Sequence, residues 1–155
     1  MLTLAIDPGQ KGAIAVLSDA QTVELLADLP VVSDKSLAWI DGGELQSLIL
    51  SALQGRVCVA YVERVSAMPR QGVASSFSFG VGFGSVLGVL QTLRLPLEFV
   101  TPTVWKRFYG LGSEKRASLD KARLLFPSAD LRLAKHDGRA EALLLALYGI
   151  RKSAG

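Results

Sequence analysis

"LTLAIDPGQKGAIAVLS" runs from Leu2 to Ser18. Its first part alternates Leu2, Leu4 and Ile6 with Thr3, Ala5 and Asp7, the period-two pattern of a strand. "PGQKG" is a turn, and "GAIAVLS" continues as a second strand. "TVELLADLP" reads as a third, joined to the second as an antiparallel neighbour through the Ser18–Gln21 turn. The chain therefore opens with a meander, and its first strand ends on a carboxylate, Asp7.

The pattern changes beyond the meander. A helix fits the stretch from Gly43 to Leu53, where Leu45, Leu48, Ile49 and Leu53 are apolar. "RVCVAYVE" is β-branched and apolar until it ends on Glu63, which predicts an interior strand. "RVSAMPRQGV" is a loop. A helix follows from Ser75 to Leu93, then a short fifth strand, "PLEFV". Helices are expected from about Pro102 to Tyr109, Ser113 to Phe126 and Asp137 to Arg151. Three strands, helix, strand, helix, strand, helices is an α/β order: a mixed five-stranded sheet flanked by helices. It is the order of the RNase H-like fold.

The 155 residues are 50% apolar, which suits one domain over residues 1–155. The lone cysteine, Cys58, lies in an apolar run and suits a reducing compartment. No basic leader or cleavage site precedes Leu2, so a secretory signal is not expected. The net charge of +3 is unevenly spread. Lys106, Arg107, Lys115, Arg116, Lys121, Arg123, Arg132 and Lys135 are opposed only by Glu114, Asp120 and Asp130, a face for a polyanion or simply a solvated helical surface. Val73 to Leu93 has no charge and is about a bilayer span long. Its serines and glycines argue for a buried, closely packed helix rather than a membrane span. Gly80, Gly84 and Gly88 share a face on which another backbone can approach.

Four acids stand out. Asp7 and Glu63 end two strands, and side by side these would leave the sheet at one carboxyl edge, where open α/β sheets bind ligands. Asp137 and Glu141 are four apart and share a helical face. The leucines of "HDGRAEALLLALYG" seat that helix on the sheet. Carboxylates without a thiol cluster suit Mg²⁺ or Mn²⁺ rather than zinc. Each residue also has a plainer reading: Asp7 starting a turn, Glu63 pairing at the surface beside Arg64, Asp137 capping a helix. His136, the only histidine, reads as a ligand, a proton carrier or an exposed pre-helix residue.

"LAIDPGQKGAIAV", "VERV", "VWKRFYGLGSEKRAS" and "HDGRAEALLLALY" together resemble the RuvC family of Holliday-junction resolvases, most of all its short phage and bacterial forms. The resemblance implies a crossover junction endodeoxyribonuclease in which Asp7, Glu63, Asp137 and Glu141 bind two Mg²⁺ ions, replaceable by Mn²⁺, with Asp7 bridging them. It implies in-line hydrolysis leaving a 5′-phosphate and a 3′-hydroxyl. Lys106 and Lys115 match the family's basic residues near the scissile phosphate. The implied partners are four-way junction DNA and a second copy of the chain, with no membrane, in the cytoplasm of a bacterium or phage-infected host. Arg70, Gln71, Lys106, Arg107, Lys115 and Arg116 are the expected DNA contacts.

The sequence departs from the family in three places. The last two acids are usually three apart and end in Asp, whereas here the spacing is four and the last is Glu141. Either His136 or Asp137 then fills the third position. The motif around Lys115 is one residue shorter. Ser66 stands where an aromatic usually wedges into the junction, which leaves Met68, Arg70 and Gln71 as candidates for that task. The glycine-bearing helix is the expected dimer interface, with packing on its own sheet as the alternative. Other functions compatible with the sequence are an RNase H-like nuclease acting on hybrids or branched flaps, and a non-catalytic junction-binding module. An actin-like ATP-binding fold needs two lobes, for which the chain is too short.

Overall fold

The computed structural model describes residues 1–64, 66 and 72–155, and every side chain among them except that of Lys115. Seven strands and five helices follow one another: β1 (Leu2–Asp7), β2 (Ala13–Ser18), β3 (Val23–Asp28), β4 (Val31–Ser33), β5 (Ala38–Ile40), α1 (Gly42–Leu53), β6 (Cys58–Glu63), α2 (Val73–Thr92), β7 (Leu97–Val100), α3 (Pro102–Phe108), α4 (Lys115–Leu125) and α5 (Asp137–Ser153). A 3₁₀ turn, Ala134–His136, leads into α5. The main sheet has the order β3-β2-β1-β6-β7, with β1 antiparallel to β2 and parallel to β6. This is the mixed five-stranded sheet that the strand pattern predicts, and β6 is interior, between β1 and β7.

Alternation along the strands divides the core in two. Leu2, Leu4, Ile6, Ile14, Val16, Cys58, Ala60 and Val62 face one side, where Leu45, Ile49 and Leu53 of α1 and Val86 and Leu90 of α2 cover them. The other side presents Ala5, Ala13 and Ala15 with Leu17 and Tyr61, and α5 lies across it. Small residues there let the helix come close to the sheet. Two glycines in α5 exploit that closeness. A Cβ on Gly138 would lie 2.5 Å from the Lys11 carbonyl oxygen, and one on Gly149 2.5 Å from the Tyr61 ring. Between them Ala142 through Leu147 are all buried, as expected of the leucine-rich stretch.

The sequence reading needs three corrections. β4 and β5, paired from Val31↔Ile40 to Ser33↔Ala38, were not expected, because three-residue strands carry too little alternation to be read. The Asp34 carboxylate closes their turn, accepting from the Ser36 and Leu37 amides at 2.7 and 2.8 Å. Helix boundaries also shift slightly: α2 begins at Val73 and α5 runs to Ser153. The third correction concerns α2, which is not a buried helix. It is long and apolar enough to cross a membrane, yet only 17% of its most apolar stretch is buried within the chain. The inward stripe is Gly82, Val86 and Leu90, with Gly82 close to the Pro8 carbonyl. Gly80, Gly84 and Gly88 are exposed on the other side, with no atom within 4 Å of where a Cβ would stand. A helix apolar on all sides does not reveal from its sequence which side faces inward.

Gly138→Ala and Gly149→Ala are each expected to destabilise the fold by about 1–3 kcal/mol through overpacking, read as a lower urea midpoint at unchanged slope. Midpoints equal to wild type would show that α5 sits less closely than described.

Candidate active site

β1 and β6 run parallel with Ile6 opposite Val62, so Asp7 and Glu63 follow one step later at the same edge and point to the α5 side. Glu63 is only 6% exposed. Burial and then the Asp7 charge push its carboxyl up to about 7; the Trp105 N–H opposes this, Glu141 adds to it and Lys106 opposes it. Asp7 is partly buried, and its Oδ1 accepts from the Gly9 amide at 3.4 Å.

The next elements supply the neutral and positive partners. β7 ends at Val100, and Pro102 opens α3, where its missing N–H costs nothing. One turn into α3 the fully buried Trp105 donates its indole N–H to Glu63 Oε1 at 2.9 Å. A buried indole needs an acceptor, and here the acceptor is a candidate catalytic acid. The neighbouring Lys106 Nζ lies 2.7 Å from Glu141 Oε1 and 5.2 Å from the centre of the Trp105 ring. Lys106 thus stands among the acids, as its match to the family motif implies.

α5 delivers the third acid. Glu141 is 13% exposed and also accepts from the Ser118 hydroxyl of α4 at 3.4 Å. Asp7, Glu63 and Glu141 therefore form one electrostatic group. Asp137, one turn earlier, lines a groove of about 460 Å³ with Arg116, Leu119, Arg123, Arg132 and Ala134. His136 is buried, not exposed, and its Nδ1 has no hydrogen-bond partner among the described residues. It lies close enough to Asp28 and Asp130 to help lower their carboxyl pKa values. Among the described residues no three His, Cys, Asp or Glu side chains stand close enough to hold one metal ion. Position three before Glu141, the family's usual ligand position, is Gly138, pressed against Lys11 and Gly12.

The basic residues distribute around this group. Arg107 is exposed and lines a groove with Lys106, Gly110 and Ser113. The Arg116 side chain is 88% exposed. Lys115 opens α4, and its side chain lies outside the description. Arg70, Gln71 and Met68 lie outside the described residues, and Ser66 is exposed. Sequence reasoning missed Trp105, Ser118 and Arg139. The signal for Trp105 was available, since an indole directly before the candidate lysine has to place its N–H.

No family model matches the chain. Among curated proteins it resembles the chloroplastic Holliday junction resolvase MOC1 of Chlamydomonas reinhardtii, 35% identical over 94 residues, which are 58% of this chain and 11% of that protein. Among solved structures it superimposes on T. thermophilus RuvC in complex with a Holliday junction substrate, with a TM-score of 0.66, 17% identity, and coverage of 100% of this chain and 96% of that one. A second Thermus thermophilus RuvC structure gives a TM-score of 0.62 at 18% identity, covering 100% and 97%. The chain has the RuvC fold. The match runs through the whole sheet and all its helices, and the mixed sheet flanked by helices agrees with the RNase H-like order read from the sequence. In this RuvC fold, Asp7, Glu63 and Glu141 occupy one edge of the central strands.

The raised Glu63 carboxyl has a consequence for stability. Its folded value, about 7, lies above the ordinary value of 4.5 for a free glutamate, so the native state holds the proton more tightly. Stability from this group is intact below the unfolded value and declines as pH rises through the window up to about 7, by about 3 kcal/mol in all. In chelator, Glu63→Gln should therefore unfold at higher urea than wild type at about pH 8 and lose most of that advantage at about pH 5. Parallel pH profiles for the two proteins would remove the raised carboxyl.

Proposed function

We propose that the protein is a divalent-cation-dependent DNA endonuclease that resolves four-way junctions by paired symmetric nicks. The observation that carries this reading is the convergence of Asp7, the buried Glu63 and Glu141 on one sheet edge, with Lys106 among them. Burial and the Asp7 and Glu141 charges raise the proton affinity of Glu63, and a polyvalent cation relieves that cost. The likeness to MOC1, a Holliday junction resolvase by name, and to a RuvC bound to a Holliday junction substrate supports the choice of substrate.

The donor set fits the cation in kind. The converging side chains are hard oxygen donors, as Mg²⁺ or Mn²⁺ requires, and the raised Glu63 carboxyl marks excess negative charge. Asp7, Glu63 and Glu141 are the proposed ligands, although as they stand no three such side chains among the described residues enclose one ion, and Asp137 or His136 is the proposed further donor from the start of α5. Bound there, such cations supply an acidified water and charge for the leaving oxygen.

The chain's own groups do the rest. Glu63 gives up its proton before it can act as a donor, so cation affinity rises with pH toward about 7. The Trp105 indole holds Glu63 Oε1 in one orientation. Lys106 offsets charge at Glu141 and is the proposed cation for the scissile phosphate. Arg107, Arg116, Lys115, Arg70 and Gln71 are the proposed backbone contacts. The expected products are a 5′-phosphate and a 3′-hydroxyl.

Symmetric nicking calls for a two-fold dimer. The outward face of α2 suits that role: Phe77 is 64% exposed, and Gly80, Gly84 and Gly88 continue its line. Wild type should sediment as a dimer and Gly84→Arg as a monomer; a dimeric Gly84→Arg would move the interface elsewhere, and a monomeric wild type would remove the dimer.

The function is tested with a synthetic four-way junction, a matched linear duplex and an RNA/DNA hybrid, each incubated in Mg²⁺ with wild type and Glu63→Gln. Paired nicks in the junction by wild type alone are the expected result. Cleavage of the hybrid in preference to the junction would favour the related nuclease class. Binding without cleavage by wild type would favour the non-catalytic module.

A further inference from the structure

Arg139 stands on the first turn of α5, between Asp137 and Glu141, with its side chain only 17% exposed. Its Nε donates to Asp28 Oδ1 at 2.7 Å and its Nη2 to Asp28 Oδ2 at 3.1 Å. Its Nη1 donates to Asp130 Oδ2 at 3.0 Å and to the Asp130 carbonyl at 3.4 Å. One guanidinium thus joins the last residue of β3, the loop that follows α4, and the helix that carries the candidate acids. The paired contact with Asp28 fixes direction as well as distance, because the planar fork matches the carboxylate.

This clamp works together with Gly138. That residue's backbone lies against Lys11 and Gly12 in the β1–β2 turn. The turn follows directly from Asp7, so the start of α5 is registered against the strand carrying the first acid. Gly138 sets how close the helix comes. Arg139 sets how it is rotated about its axis, since it reaches sideways to β3 and to the Asp130 loop. Rotation decides where Glu141 points, and Glu141 meets Lys106 and Ser118 beside Glu63. The Arg139 guanidinium holds the Asp28 carboxyl below its usual range; the Asp130 carboxyl is lowered first by Arg132 and further by Arg139.

We propose that Arg139 is a positioning residue for the acid site: it clamps the start of α5 to β3 and to the Asp130 loop, and so keeps Glu141 and its neighbours in register with Asp7 and Glu63. The proposal rests on the nuclease reading for what the acids do, but not for how they are placed. Arg139 acts through Asp28 and Asp130. Its effect is that of an outer residue that orients a ligand.

The test uses the full chain and two readouts. Mn²⁺ binding is measured by calorimetry without DNA, and single-turnover cleavage and affinity are measured on a four-way junction, all well below the melting temperature of each variant. Arg139→Gln should lower Mn²⁺ affinity roughly 10- to 100-fold, as loss of an orienting partner does. Cleavage should fall by a similar factor while junction affinity in chelator stays within about twofold of wild type. Arg139→Lys, which keeps one of the contacts, should recover part of the loss. A folded Arg139→Gln with wild-type Mn²⁺ affinity and cleavage rate, its only change a lower melting temperature, would overturn the proposal. If Arg139→Gln does not fold, Asp28→Asn takes its place. It keeps the Asp130 contact and should show the same change in smaller degree; unchanged Mn²⁺ affinity there would equally overturn it. A wild-type protein that binds Mn²⁺ but cuts no junction defeats the nuclease reading alone, and the clamp is then judged on Mn²⁺ affinity.

Discussion

Close seating of α5 on the alanine-bearing face of the sheet is the contact on which the site depends. Ala5, Ala13 and Ala15 leave a shallow floor, and Gly138 and Gly149 remove the Cβ atoms that would strike the β1–β2 turn and the Tyr61 ring. The leucines between them supply the burial that holds the helix there, since each apolar side chain removed from water favours the docked position. Packing at this density transmits small displacements instead of absorbing them. A helix lifted by larger residues would carry Glu141 away from Asp7 and Glu63, whatever its own sequence.

The docked helix creates an electrostatic problem that the chain leaves partly unsolved. Burial and the neighbouring acids favour the protonated form of Glu63, whereas a single indole N–H and a single ammonium favour the ionised one. A buried acid whose proton affinity is raised beside two further carboxylates, at the carboxyl edge of a mixed sheet, suits a functional site. The opposite face of the sheet carries no such tension. There α1 and α2 cover an aliphatic layer, and what remains conspicuous is the uncovered side of α2.

Most of this architecture is legible in the residues. Alternation in "LTLAID" and "GAIAVLS" and the β-branched run ending at Glu63 identify the strands, and the leucine-rich stretch after Glu141 identifies the seated helix. Asp7 and Glu63 are legible because each ends a strand, and Glu141 and Lys106 because each stands in a motif of the resembling family. The β4–β5 hairpin escapes because its strands are too short to show a period. Arg139 escapes for a different reason. Its partners, Asp28 and Asp130, are separated from it by 111 and 9 positions, and nothing local marks either as a partner.

The sequence by itself determined which elements form and which of their ends carry charge, because periodicity and turn chemistry are local properties of the chain. Only the tertiary structure decided which acids share a site. Glu141 meets Lys106 and Ser118 beside Glu63, and Asp137, one turn earlier, lines a groove with Arg116, Arg123 and Arg132. That placement follows from the rotation and height of α5 on the sheet. These are set by contacts of Gly138 and Arg139 with distant strands and loops, and no spacing within the helix encodes them.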